Sequence, residues 1–285
     1  MQTITDGIYY ENAYAGVTLG AIILPRGTLL IDTPLQAEDA RFWKSILLAH
    51  SLGEYRLMIN LDMHTDRIIG NRSIGLTILA HQEVAETIDN RTAVFKGASG
   101  ASSSEWEKCQ EVIGTRWIRP DITFSTCLNL HWGEPEILIE HHPGPAPGAI
   151  WVEIASKKIV FVGDAVVEHQ PPFLADADLL AWIETLSVLR TPKYRDYTIV
   201  SGRSGPLTIE AVRSQHEFLR SVLRRLETLI NRKAPPEETE KMIPALLAKI
   251  TYPPELEDFY AQRLRYGLRQ YYIRHYRTAD SFSKS

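Results

Sequence analysis

Cysteine is scarce in this chain: Cys109 and Cys127 are the only two in 285 residues, and they lack a Cys-x-x-Cys spacing. No disulfide framework is expected from them, and a reducing, cytoplasmic setting is. Long apolar runs are missing as well. None approaches the roughly 18–20 residues of a membrane span, and no charged-then-apolar leader opens the chain, so no membrane association is expected. Basic residues do not predominate either. The net charge of −4 supplies no basic face for a phosphate backbone, so nucleic acid is not an expected partner. There is no Gly-x-Ser-x-Gly elbow, no Walker loop and no Gly-x-Gly-x-x-Gly fingerprint. Serine-hydrolase, P-loop and dinucleotide chemistries therefore have no foothold in the sequence.

What is present suits an ordinary globular protein, with 44% hydrophobic and 23% charged residues. The length allows one large domain or a domain with an appendage. Strand-like runs cover residues 7–10, 17–24 and 28–31, parted by small-residue or Pro-Arg-Gly turns. Residues 37–50 have helical spacing through Ala40, Trp43, Ile46 and Leu47, and 57–61 is again a strand. A helix-like segment through Ile74, Leu76, Ile78 and Leu79 follows. Gly97 to Ser104 is small and polar, expected as a loop or insertion over a site, or as a linker between helices. Strands are expected over 122–130, 137–141, 149–154 and 158–162. Alternating strands and helices make an α/β layered domain.

The stretch Asn60-Leu-Asp-Met-His-Thr-Asp-Arg-Ile-Ile-Gly-Asn71 organises the rest. Asp62, His64 and Asp66 stand at alternate positions as the chain leaves a buried strand, which keeps them on one side of an extended backbone. Carboxylate oxygen and imidazole nitrogen are ligands for zinc, iron or manganese. The stretch resembles the His-x-His-x-Asp-His signature of the metallo-β-lactamase superfamily, with Asp62 at the first His position and Arg67 at the last. Further on, Pro143-Gly-Pro-Ala-Pro-Gly148 resembles Pro-Gly-His-Thr-Pro-Gly, and Pro145 takes the ligand position. Val160-Phe-Val-Gly-Asp164 matches the strand whose Asp bridges two metals. Ser201-Gly-Arg-Ser-Gly-Pro206 resembles Gly-His-Gly-Pro, with Arg203 in place of the His. The resemblance implies a four-layer αββα sandwich over residues 1–206, followed by a helical C-terminal extension, 207–285.

The same resemblance implies a two-metal site of about five histidines and two aspartates, of which this chain matches one histidine and two aspartates. At most one divalent metal (zinc, iron or manganese) is expected, held by Asp62, His64 and Asp164, and a site with no metal at all is the alternative. Arg67 and Arg203 cannot be ligands, because a guanidinium has no lone pair to give. Two functions follow. In one, the protein is an atypical hydrolase in which Asp66 orients or deprotonates water, and Arg67 and Arg203 bind a substrate anion. The substrate would be a small ester, lactone, thioester or phosphodiester. In the other, the arginines pair with the aspartates, and a catalytically inactive relative binds a small anion or serves in assembly.

Several residues stay open. Asp32 either forms a turn or, as the resemblance implies, ends a strand beneath the metal site. His169 either binds substrate or acts as a general base, or is a polar loop residue. His141 or His142 could approach the site in place of the lost ligand, while His50, His81, His131, His216 and His275 read as surface or structural residues. The turn at Ser201 to Gly205 either cradles an anion with its N–H groups or is merely tight. After Pro206 the chain turns helical, over 210–232, 237–250 and from Pro253 on. An aromatic stripe through Phe259, Tyr260, Leu264, Leu268, Tyr271 and Tyr272 is expected as core or as a homodimer interface, with Gly267 permitting close packing. The tail from Ser281 is expected to fray.

Overall fold

The computed structural model describes residues 1–97 and 102–277. Residues 98–101 of the Gly97 to Ser104 loop and all of the tail from Ser281 lie outside the described residues. The first sheet runs in sequence order: β1 (Gln2–Thr5), β2 (Ile8–Glu11), β3 (Leu19–Leu24), β4 (Gly27–Ile31), β5 (Tyr55–Ile59), β6 (Thr77–His81) and β7 (Ile122–Phe124). Pairing is antiparallel up to β4 and parallel from β4 to β7. The change falls where helix α1 (Ala37–His50) enters, because parallel neighbours need a crossover to bring the chain back. Two single-turn helices, α2 (Thr65–Ile68) and α3 (Asn71–Ile74), join β5 to β6, and α4 (Gln82–Asp89) follows β6.

The second sheet is ordered β13-β12-β11-β10-β9-β8. Its strands are β8 (Cys127–Leu130), β9 (Ile137–His141), β10 (Ile150–Ile154), β11 (Ile159–Gly163), β12 (Thr198–Ser201) and β13 (Gly205–Leu207). Only β11 and β12 run parallel, and α5 (Leu179–Leu189) is their crossover. The chain then forms α6 (Ile209–Asn231), α7 (Ile243–Leu247) and α8 (Glu257–Tyr272). No helix among the described residues is long and apolar enough to cross a membrane.

Period-two alternation sorts the side chains into layers. Leu29, Ile31, Leu57 and Ile59 point inward and meet Ile139, Val152, Phe161 and Val200 of the second sheet. Their neighbours Leu30 and Met58 point outward, onto Ala40, Trp43 and Leu47 of α1. On the far side, Trp151, Val160, Val162 and Ile199 pack against Trp182 and Leu186 of α5 and Leu219 and Val222 of α6. The layers are thus helix, sheet, sheet, helix. The stripe of α8 joins that last cluster through Tyr260, Leu264, Leu268, Tyr271 and Tyr272, so it is core of its own chain. Gly267 lets α8 close on the 173–174 turn, since a Cβ there would sit 3.1 Å from that of Leu174.

Two local expectations are corrected. Ile78 and Leu79 belong to β6, because a left-handed Gly75 ends α3 before them. The run 122–130 is two strands, one in each sheet: β7 pairs with β6 and β8 with β9, and the chain changes sheet at residues 125–126. Both apolar runs are too short for periodicity alone to decide.

Glu153 ties β10 to the turn before β12. Its carboxylate accepts from Lys193 Nζ (2.8 Å), Tyr194 OH (3.0 Å) and Tyr197 OH (2.8 Å). Burial would raise its pKa, but these donors outweigh it and hold the carboxyl below its ordinary value of 4.5. Its contribution is therefore present above that value and lost as pH falls through the depressed one. Glu153→Ala should cost about 1–3 kcal/mol in urea unfolding at neutral pH, because buried hydroxyls lose their acceptor. An unchanged midpoint would show that the cluster is not stabilising.

Candidate functional site

Parallel pairing brings the C-terminal ends of β4 and β5 to one edge, and β11 of the facing sheet ends beside them. Three carboxylates leave these ends. Asp32 follows β4 with a left-handed φ of 59°, Asp62 follows β5, and Asp164 follows Gly163. Asp32 Oδ1 accepts from Leu61 N (3.0 Å), and Leu61 O accepts from Ile150 N (2.9 Å), which joins the two sheets at this edge. The loop is locked from within. The buried amides of Asn60 and Asn71 bond reciprocally, and Thr33 Oγ1 donates to Arg67 O at 3.0 Å. Only glycine fits at position 70, where a Cβ would lie 2.1 Å from Pro34 O.

Into this edge projects Arg67, with its side chain fully buried. Nη1 donates to Asp32 Oδ2 at 2.8 Å, Nε lies 3.0 Å from Asp62 Oδ1, and Nη2 pairs with Asp164 Oδ1. A Cβ on Gly202 would come within 2.2 Å of Nη1, so that glycine makes room for the guanidinium. Arg203 takes the other side: Nε donates to Asp164 Oδ2 (2.8 Å), and Nη1 to Asp66 Oδ2 (3.0 Å) and Gly16 O (2.9 Å). Glu105 bridges onward, 3.3 Å from Arg203 Nη1 and 2.8 Å from Arg263 Nη2. Phe173 lies under both Arg203 and Arg263, 4.4 and 4.1 Å from their guanidinium carbons. His64 completes the set. Its Nδ1 is 3.2 Å from Asp62 Oδ1 and 3.3 Å from Asp164 Oδ2, aligned as a hydrogen bond to neither.

Five carboxylates thus face three guanidiniums, a formal excess of two negative charges that a protonated His64 reduces to one. Burial pushes Asp32 up to about 6 despite Arg67, and raises Asp66 despite Arg203. Burial opposes ionisation of Asp62 and Glu105 too, but Arg67 holds Asp62, and Arg263 with Arg203 holds Glu105, below the ordinary carboxylate range. Burial thus favours the neutral form of Asp32 and Asp66, while the guanidiniums favour the ionised form of Asp62 and Glu105.

Beside it opens a cavity of about 190 Å³ lined by His64, Asp66, Arg91, Ser104, Phe173 and Tyr266, among others. Arg91 Nη2 reaches Met63 O at 3.3 Å and the guanidinium lies 4.4 Å from the Trp117 ring, while its buried Nη1 has no hydrogen-bond partner among the described residues. Sequence reasoning missed Arg91, Glu105, Phe173 and Arg263. Arg263 left a signal, since it sits between Tyr260 and Leu264 on the buried face of α8. Arg91 and Phe173 are isolated loop residues and Glu105 opens a short 3-10 turn (Glu105–Lys108), with no pattern around any of them.

Asp62, His64, Asp66, Arg67, Asp164 and Arg203 do come together, whereas His169 stands apart. A left-handed φ of 61° turns its largely exposed imidazole toward Thr251 O (3.2 Å), and it lines a different cavity, with Gln215 and Lys249. Arg67 and Arg203 are turned onto carboxylates rather than toward the cavity. Nor is the 201–205 turn an anion cradle, because Ser201 Oγ already accepts from Arg203 N and Ser204 N, each at 3.2 Å. His141 stacks on His81, and His142 on Trp151, so neither replaces the lost ligand.

The trio Asp62, His64 and Asp164 has some fitness for a cation: one donor atom from each lies within 4.8 Å of the others, and Asp62 Oδ2 is buried without a partner among the described residues. Yet both oxygens of Asp164 and Oδ1 of Asp62 already meet guanidinium nitrogens. A divalent ion there would stand beside two positive charges. The residues do not fit a two-metal centre, because Arg67, Pro145 and Arg203 hold ligand positions without a lone pair to give.

Arg67→Ala should cost about 3–5 kcal/mol in urea unfolding, since it leaves buried Asp32 and Asp62 without a guanidinium and Asp164 with Arg203 alone. Arg67→Lys should fall between, keeping charge but not the fork. For Asp32, raised from 3.8 to about 6, stability is full below the lower value and is lost as pH climbs through the upper. For Asp62 and Glu105, both depressed, it is lost as pH falls. Stability should therefore decline on both sides of a weakly acidic optimum. Wild-type stability for Arg67→Ala would contradict the network.

Residues 78–202 match the model of the metallo-β-lactamase superfamily. Among solved structures, a stereoselective inverting sec-alkylsulfatase from Pseudomonas sp. is similar over 96% of this chain, at 16% identity and a TM-score of 0.69. This chain spans only 49% of that protein's length. A metallo-β-lactamase from Pontibacter korlensis matches 77% of this chain and 97% of its own, at 16% identity and a TM-score of 0.59. A metallo-β-lactamase family protein from Thermus thermophilus matches 98% and 95%, at 17% identity and a TM-score of 0.67. The family match over residues 78–202 and the fold shared with these structures together support membership of the metallo-β-lactamase superfamily.

Proposed function

We propose that the cleft is a metal-free binding site for a small anion, in which the arginine–carboxylate network takes over the place of the metals. One observation carries this reading: Asp62, Asp66 and Asp164 each already contact a guanidinium. The anion-binding role expected of Arg67 and Arg203 passes to Arg91. Burial lowers the pKa of Arg91, and its Nη1 is an unused donor at the cavity wall. A sulfate or carboxylate oxygen would supply the acceptor that Nη1 lacks, against the competing charge of Asp176 in the same lining. His64 lines the same cavity and offers a further donor, whereas the Ser102 and Ser104 hydroxyls there are already engaged with Glu107 and with each other. Because the Pseudomonas neighbour is named for alkyl sulfates, sulfate and short alkyl sulfates are the first probes.

A second reading, a one-metal hydrolase, draws support from the unpartnered Asp62 Oδ2 and the unaligned His64 Nδ1. It requires Asp164 to share its oxygens between a metal and two guanidiniums, and Asp66 to leave Arg203 before acting as a base.

Calorimetric titration of the chelator-treated chain with sulfate and butyl sulfate separates the two. Binding that persists in chelator and weakens about tenfold or more, ~1.4 kcal/mol, in Arg91→Gln supports the anion site. Binding that appears only with added metal would overturn it. So would metal-dependent hydrolysis of butyl sulfate that disappears in His64→Ala.

A further inference from the structure

A second cluster of metal-ligating side chains lies away from the arginine network. His81 ends β6 and caps α4, Glu83 is in the first turn of α4, and His141 ends β9 of the other sheet. The two imidazoles stack with centroids 3.8 Å apart and planes 20° from parallel. His81 Nε2 lies 2.8 Å from Ser125 O, which makes it the protonated nitrogen, and Nδ1 accepts only a long 3.3 Å bond from Glu83 N. His141 Nε2 is buried and makes no hydrogen bond among the described residues. One donor atom from each of His81, Glu83 and His141 lies within 4.8 Å of the others.

We propose that His81, Glu83 and His141 form a separate site for a divalent transition metal, zinc foremost, at the seam between the two sheets. Two imidazoles and one carboxylate are a suitable donor set for such an ion and leave a coordination position open. The chemistry contrasts with that of the central cleft. There three of the four candidate ligand oxygens, both of Asp164 and Oδ1 of Asp62, are drawn to guanidiniums, whereas here His81 Nδ1 is weakly engaged and His141 Nε2 is unengaged among the described residues. The bond to Ser125 O suits the proposal as well, because a ligating histidine commonly donates its other N–H to a carbonyl, which fixes the tautomer and aims the ring.

Two adjustments accompany binding. Nitrogen donors at about 2.0–2.1 Å from a tetrahedral ion stand roughly 3.3 Å apart, so the three groups must draw together. Lone pairs in nearly parallel rings do not converge, so the stack must open. The metal then becomes a clasp between β6 of the first sheet and β9 of the second. It stabilises the folded chain in proportion to its binding, as any ligand of the native state does.

The test is zinc titration of the full chain against a chromogenic chelator, with elemental analysis of the loaded protein and imidazole C–H resonances followed by NMR. His81 is a buried cap whose loss can prevent folding, so His141→Ala and Glu83→Gln carry the test. One zinc per chain is expected, with an affinity at least about tenfold lower in either variant and unchanged in His64→Ala. The His81 and His141 resonances should shift as the stack opens. Absence of zinc binding, or binding that survives His141→Ala unchanged, would overturn the proposal and leave the anion site untouched. Zinc that is lost in His64→Ala instead would overturn both, since it would mark the central cleft as the metal site.

Discussion

The fully buried guanidinium of Arg67, set among Asp32, Asp62 and Asp164, is the interaction on which the open edge of this sandwich depends. Each carboxylate ends a different strand, two in the first sheet and one in the second. Gathered without a counter-charge they would repel one another and favour protonation. In a metal-bearing version of this architecture the counter-charge is the ion. Here it is a planar fork, which reaches three carboxylates at once and stays charged at any physiological pH. Gly202 and Gly70 follow from that choice, since a side chain at either would collide with the guanidinium or with the loop that presents it.

From this centre the charges extend outward in a chain. Asp164 passes the network to Arg203, Asp66 and Glu105 extend it, and Arg263 joins it to α8. Phe173, held between two guanidiniums and near His64, forms the floor where the chain of charges meets the cavity. The C-terminal helices therefore shape the cleft as well as cover the second sheet. Arg91 differs from the other arginines at the site. Its Nη1 has no hydrogen-bond partner among the described residues, and unlike Arg67 and Arg203 it lines the cavity rather than pairing with the carboxylates at the strand ends.

Much of this is legible in the amino-acid sequence. Strand alternation and the four motif segments point to the layered fold, and they bring Asp62, His64, Asp66, Arg67, Asp164 and Arg203 to one place. The substitutions at Arg67, Pro145 and Arg203 already speak against two metals. What stays hidden depends on long-range contact. The run 122–130 carries no mark of the sheet change, because both halves are equally suited to a strand. Glu105 and Arg91 are single charges in irregular segments, and only folding brings them to Arg203 and the cavity. His81 and His141 are far apart in sequence, and their stacking follows from the packing of two sheets rather than from any local spacing. His169 misleads for the opposite reason. Its neighbours suggest the cleft, and one left-handed backbone angle turns it away.

The claim that a guanidinium occupies the place of the metal is tested most directly by anomalous diffraction from crystals equilibrated with zinc. The account predicts no anomalous peak among Asp62, His64 and Asp164, and density for Arg67 within hydrogen-bond reach of Asp32, Asp62 and Asp164. A strong peak inside that trio, with Arg67 displaced from Asp164, would contradict it.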